Sequence, residues 1–255
     1  MIRSIRPNRG PLATLALVAV VAAACQPTRA PRVDDAAAPA AFPVAAYRRL
    51  AADGPVYVLR PERSSIRSFV YRGGPLAQMG HNHVVAVPDF RGAALLPEDL
   101  SAGRFDLVFR AEDLAVDRPA DREGLAGAFG SRPDADAVAG TRANMLGTDV
   151  LAAEHWPRVA LHSTSVDGEL PVLALGLRVQ LHGETAELTF PVRIQRADER
   201  LVAEGQFRLR QTRFGIEPFS AAGGAQQVRD TLAVRFRLVG ERREKPFPEG
   251  TELPE

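Results

Sequence analysis

The sequence predicts an all-β domain with one short helical insert, and three observations carry that prediction. Short segments of alternating apolar and polar residues recur along the chain, hairpin-length connections join them, and a single Ala-rich, charged stretch interrupts them. The first segments are residues 56–60, 65–72, 83–95 and 104–114, each ending in Gly, Pro or Asp signals. Residues 118–156 then lose the alternation. The run DREGLAGAFGSRPDADAVAGTRANMLG is poor in β-branched residues and predicts one or two helices, with Pro157 ending the second. Strands resume at 158–166, 170–181, 186–195, 200–211 and 228–238. Leu201, Ala203, Phe207 and Leu209 fall on one face of their strand, as do Leu232, Val234, Phe236 and Leu238 on the last. About eight to ten such antiparallel strands in one domain close most economically into a barrel, with a two-sheet sandwich as the alternative.

The ends of the chain read differently. Arg3, Arg6 and Arg9 precede an apolar run from Leu12 to Ala24, the order of a signal peptide over residues 1–24. That run is well short of the roughly twenty residues a membrane-crossing helix needs. Ala22, Ala23 and Ala24 before Cys25 resemble a bacterial lipobox, with Ala22 where Leu is usual. The expectation is an exported lipoprotein acylated on Cys25 with palmitate-type chains. Gln26 after it points, by resemblance to Gram-negative sorting, to the periplasmic face of the outer membrane. Residues 25–55 form the lipidated cysteine and an Ala/Pro-rich flexible tether, 56–240 the folded domain and 241–255 a tail.

Without the leader the formal charge of +1 becomes about −2, with both signs scattered, so no field for nucleic acid is expected. Cys25 is the only cysteine, and acylation would leave no thiol for a disulfide, a thiolate zinc site or a nucleophile. No Gly-x-Ser-x-Gly, His-Glu-x-x-His, phosphate loop or dinucleotide turn occurs. Asp117, Glu154 and Asp230 are too scattered to form an acid and base pair and are expected to be solvated. The chain is therefore expected not to be an enzyme.

The order of the segments resembles the YceI-like family of exported, lipocalin-like barrels that bind polyisoprenoids and other long-chain lipids. Four motifs carry the resemblance between about Val56 and Val239: Tyr57 with Ser65, Ile66 and Phe69; Pro157, Val159, Leu161, Ser163 and Thr164; Leu177, Leu181, Gly183, Thr185, Pro191 and Val192; and Arg210, Phe214, Gly215, Ile216 and Asp230. His81-Asn82-His83 and the long polar insert at 118–143 depart from the family's pattern. The resemblance implies a membrane-tethered carrier that holds an isoprenoid, quinone-like or other long-chain amphiphile without covalent chemistry. No cofactor is implied beyond that lipid, and the sequence names no protein partner.

An eight-to-ten-stranded barrel holds either its own side chains or one elongated ligand. The expected lining comprises Phe69, Phe90, Phe105 and Phe109 from the first half and Met145, Leu146 and Trp156 from the insert. From the second half it comprises Leu161, Leu175, Leu181, Phe190, Phe207, Phe214 and Phe236. A core filled by these residues is the alternative the residues leave open. His81 and His83, two apart in an extended segment, point to one side. They are open to three roles: satisfying a Gly-bearing turn, contacting a ligand head group, or binding a metal with His155, His162, His182 or Glu154. A metal-binding module and an envelope stress or scaffold protein are the rival functions.

Overall fold

The computed structural model describes residues 41–197 and 199–247. The signal peptide, Cys25 and most of the expected tether lie outside the described residues. Helix α1 (Val44–Leu50) comes first. Strands β1 (Val56–Leu59), β2 (Ser65–Val70), β3 (Arg72–Gly73), β4 (His83–Ala86), β5 (Arg91–Leu95), β6 (Arg104–Arg110) and β7 (Ala115–Val116) follow. The insert holds α2 (Pro119–Arg122) and α3 (Ala135–Leu146). The second half is β8 (Arg158–Glu169), β9 (Val172–Leu181), β10 (Glu184–Ala197), β11 (Arg200–Arg210), β12 (Ser220–Ala221), β13 (Gln226–Val228) and β14 (Thr231–Arg242).

Pairing in the order β1, β5, β6, β8, β9, β10, β11, β14 and back to β1 closes an antiparallel barrel of eight strands. The sandwich alternative fails because β1 pairs with both β5 and β14 and leaves no free edge there. β2 continues β1 along β14, from Arg237↔Ser65 to Ala233↔Phe69, after a turn at Pro61–Arg63. Proline at the head of that turn cannot donate to a ladder, so it breaks one long strand into two. β4 pairs with β2, and β7 pairs with β4. A small sheet of β12, β13 and β3 extends the same end.

The long strands keep the period of two that the sequence carries. On β9, Leu173, Leu175, Leu177, Val179 and Leu181 face inward, and the exposed Arg178 faces out. Two ends result. At one, Tyr57, Leu96, Val166, Leu173 and Leu201, each buried, form an apolar plug. At the other lie the turns that follow β2, precede β4 and β8, and join β9 to β10 and β11 to β14.

Two expectations need correction. The tether was to run to residue 55, yet α1 packs on the outer wall of β5 and β6. There Phe42, Tyr47 and Phe247 form an aromatic cluster, and the Tyr47 hydroxyl donates to the Ala93 carbonyl at 2.8 Å. Ala/Pro-rich composition hid two aromatics, Phe42 and Tyr47, that pack on one wall together with Phe247 of the C-terminal segment. The second helix was to end at Pro157, but α3 ends at Leu146, where Gly147 donates to the Ala143 carbonyl. Pro157 instead leads into β8, and its carbonyl accepts from Ala111.

Candidate functional site

A cavity of about 430 Å³ runs along the barrel interior, within the roughly 300–1,000 Å³ of small-molecule sites. Its wall is apolar apart from Ser68, Arg104 beside the plug, and the end away from the plug. There the rim carries Arg72, His81, His83, Thr141, Asn144, Gln226 and Gln227, and among the described residues no carboxylate lines the cavity. Asn144 and Gln227 are exposed, and the others reach solvent in part, so this end is the mouth.

Of the expected lining, Phe105, Phe109, Met145, Leu161, Leu175, Leu181, Phe190, Phe207 and Phe236 do face the cavity. Phe190, Phe207 and Phe236 meet there with centroids 4.7–6.3 Å apart. Gly205 opposite Phe236 makes room for that ring, since a Cβ would sit 2.7 Å from it.

Five of the expected residues do not line the cavity. Phe69 lies on the outer face of β2, because Ile66, Ser68 and Val70 take the inward parity. It packs edge-on against Phe129 of the insert at 5.1 Å, with the Arg235 guanidinium 4.9 Å from its centroid. Phe90 fills the break between β4 and β5 among Leu59, Val87 and Leu107, behind the wall. Leu146 supports the core from the end of α3 beside Met145. Trp156 is 43% exposed and lies over Gly183 of the β9–β10 hairpin, where a Cβ would come within 2.6 Å of the indole. Phe214 is buried in the turn after β11. For Phe69 the motif identified an apolar residue, and Phe129 from the insert covers it on the outer face.

The His-Asn-His run sits at the mouth. His81 and His83 rings lie 6.3 Å apart. His83 Nδ1 meets Asp117 Oδ2 at 2.6 Å, and its Nε2 faces Thr141 Oγ1 of α3 at 3.4 Å. Asp117 Oδ1 also accepts from the Val84 amide at 2.8 Å and from the Arg122 guanidinium. Arg122 donates further to the carbonyls of Asn82, Phe129 and Ser131. Asn82 is buried, accepts from the Arg72 amide and donates to the Ala128 carbonyl. Burial by itself would raise the Asp117 pKa, but hydrogen bonds from His83, Val84 and Arg122 outweigh it and hold the carboxyl below its usual range. Asp117 is therefore not a solvated surface carboxylate. It pins the insert to β4, a role invisible in sequence because its partners are 5 and 34 residues away.

The metal partners considered from sequence do not assemble: among the described residues no group of three His, Cys, Asp or Glu side chains could hold an ion. His162 is on the outer wall, where its Nδ1 meets Asp106 at 2.5 Å, and His182 Nδ1 faces the Phe214 carbonyl at 3.0 Å. Asp106 is fully buried beneath α1. Burial pushes its pKa up, but hydrogen bonds from His162 and Arg104, with the Tyr47 hydroxyl alongside, carry it below the usual range. Burial and the neighbouring Asp106 push the Tyr47 phenol up.

The family model for the YceI-like domain matches residues 57–240. The chain belongs to the YceI-like family. Its barrel with a hydrophobic pocket is, in general, a binding fold rather than a catalytic one. Among solved structures, BcnA of Burkholderia cenocepacia has the same fold, with a TM-score of 0.53, 12% identity, and coverage of 71% of this chain and 98% of its own. A YceI protein of Campylobacter jejuni aligns at a TM-score of 0.45 and 9% identity, over 62% of this chain and 85% of its own. A comparison with curated proteins gives no significant match.

Proposed function

We propose that this YceI-like barrel is a carrier for one long-chain amphiphile, with the apolar chain in the cavity and the polar head at the Arg72–His81 rim. The observation that carries the reading is the cavity itself, predominantly apolar along its length with its polar side chains gathered chiefly at its mouth. Each methylene moved from water into such a wall contributes roughly 0.8 kcal/mol, so a chain needs no directional contact until its head. An isoprenoid or quinone-like chain, or another of similar length, fits these terms. The ligand is held without covalent chemistry. Cys25, acylated after export, would keep the barrel at the periplasmic face of the outer membrane.

Mass spectrometry of organic extracts from protein purified out of its native envelope tests this reading. About one long-chain amphiphile per barrel is expected. A barrel that carries none and takes up none from detergent-free lipid dispersions would overturn it. The metal reading retains two imidazoles but lacks a third ligand among the described residues. Metal analysis of the protein beside a His81→Ala, His83→Ala variant is expected to find no ion held by either.

A further inference from the structure

We infer that one lip of the mouth, the turn at Gly74–Gly80, is a docking surface for an anionic lipid bilayer. This inference rests on the carrier reading for its purpose but not for its evidence. Leu76 is 43% exposed and Met79 70% exposed, the latter the most exposed large hydrophobic among the described residues. Leu76 also lines the cavity, so apolar surface continues from the interior over the lip to the outside. A chain leaving along that path need not cross water.

The turn is built to hold those two side chains outward. Gly74 adopts φ +83°, and a Cβ there would sit 2.6 Å from the Ala225 carbonyl oxygen. Leu76 donates to that same carbonyl at 2.8 Å. From the base, the Arg72 guanidinium donates to the carbonyls of Gln78 and Gly80. Met79 buries little in the fold, and together with Leu76 it makes an exposed apolar pair continuous with the cavity wall.

Charge selects the partner. Between residues 66 and 88 the chain carries Arg67, Arg72, His81 and His83 and no acidic residue. Arg229 adds a cation beside the base of the turn, its Cγ 3.4 Å from where a Cβ on Gly73 would lie. Two carboxylates of this end are engaged, Asp117 by Arg122 and His83 and Asp230 by Arg210 at 2.8 Å. The other exposed carboxylates of this end, among them Asp113, Asp136, Asp149, Glu154, Glu184 and Glu217, belong to the turn before β7, the insert, the β8–β10 side and the turn after β11 and not to the Gly74–Gly80 turn, so approach to anionic head groups is tilted onto the Leu76–Met79 lip.

Reach permits it. Cys25 lies sixteen residues before Ala41, a contour of at most about 55 Å, whereas the 12 residues of β14 span roughly 40 Å. Anchor and mouth can therefore rest on one membrane.

The test uses the exported Cys25→Ser protein, which removes the covalent anchor, in flotation with phosphatidylglycerol vesicles and with phosphatidylcholine vesicles. Three further proteins are compared: Leu76→Asp with Met79→Asp, Leu170→Asp with Val172→Asp at the plugged end, and Met79→Trp in a Trp156→Phe background. Expected are flotation with the anionic vesicles that salt weakens, at least a tenfold loss for the mouth pair, and none for the plugged-end pair. The Trp at position 79 should blue-shift with anionic vesicles. Absence of flotation by the parent, or equal loss in both pairs, overturns the inference. A fluorescent long-chain fatty acid separates this from the carrier reading. If it binds while vesicles do not, docking fails alone; if vesicles bind while it does not, the carrier reading fails alone. With both intact, its transfer rate should rise with vesicle concentration and fall at least tenfold in the mouth pair.

Discussion

The two ends of the barrel are held by different physics. The plugged end is an apolar cluster around Tyr57, Leu96, Val166, Leu173 and Leu201, whose stability is burial. The mouth end is held by buried charge: Asp117 and Arg122 join β4 to the insert, and each partner satisfies amides or carbonyls as well. An end that must admit an amphiphile and water cannot rely on a dry plug. A charged network met by hydrogen bonds at every polar atom but Arg122 Nε keeps its geometry with solvent nearby, at the cost that losing one member strands the other.

That contrast can be broken most sharply at Asp117. Its replacement by Ala leaves the 5%-exposed Arg122 guanidinium without its counter-ion and should cost about 3–5 kcal/mol in urea unfolding. A cost below about 1 kcal/mol would mean that the insert is held by something else. At the plugged end Leu201→Ala should cost about 2–5 kcal/mol, and here the loss should track the space vacated rather than pH. Filling the cavity instead, with Leu161→Trp, should cost about 1–3 kcal/mol while abolishing uptake of a fluorescent long-chain probe. Retained uptake would place the chain elsewhere.

Acid probes the buried carboxylates Asp117 and Asp106. The pKa of Asp117 is depressed in the fold, so its contribution is fully present above the ordinary carboxylate pKa near 3.9 and is lost as pH falls through the lower folded value. Asp106 behaves likewise beneath α1. Thermal unfolding followed from pH 6 to pH 2 should therefore steepen below about pH 4, and Asp117→Asn should flatten that limb. Leu201→Ala should shift the whole curve without changing its slope. The smallest effect expected is Tyr47→Phe, which removes one buried hydroxyl bond to Ala93 and should cost about 1 kcal/mol.

Much of the barrel was legible before its coordinates. The inward faces of β11 and β14, from Leu201 to Leu209 and Leu232 to Leu238, were read correctly because an antiparallel strand half-exposed to solvent writes its orientation as alternation. For Phe69 the reading failed because both faces of its strand are covered. Phe69 has Phe129 on one side and the strand's own inward neighbours on the other, so apolarity no longer reports direction. Asp106 is apolar-flanked on β6 and buried under a helix that composition had assigned to a tether. Arg72, the cation at the rim, gave no signal at all in a chain whose positive charge is almost entirely arginine.

The sequence by itself determined the class of fold, the hairpin order, the apolar stripes and the place of the insert, because these follow from local periodicity and turn chemistry. Only the tertiary structure decided that the stripes leave a cavity instead of filling it, that one end is plugged and the other carries most of the polar rim, and that Asp117 orients His83 there. Those outcomes depend on how residues far apart in the chain share space, and cavity volume and buried charge pairing leave no trace in any local pattern.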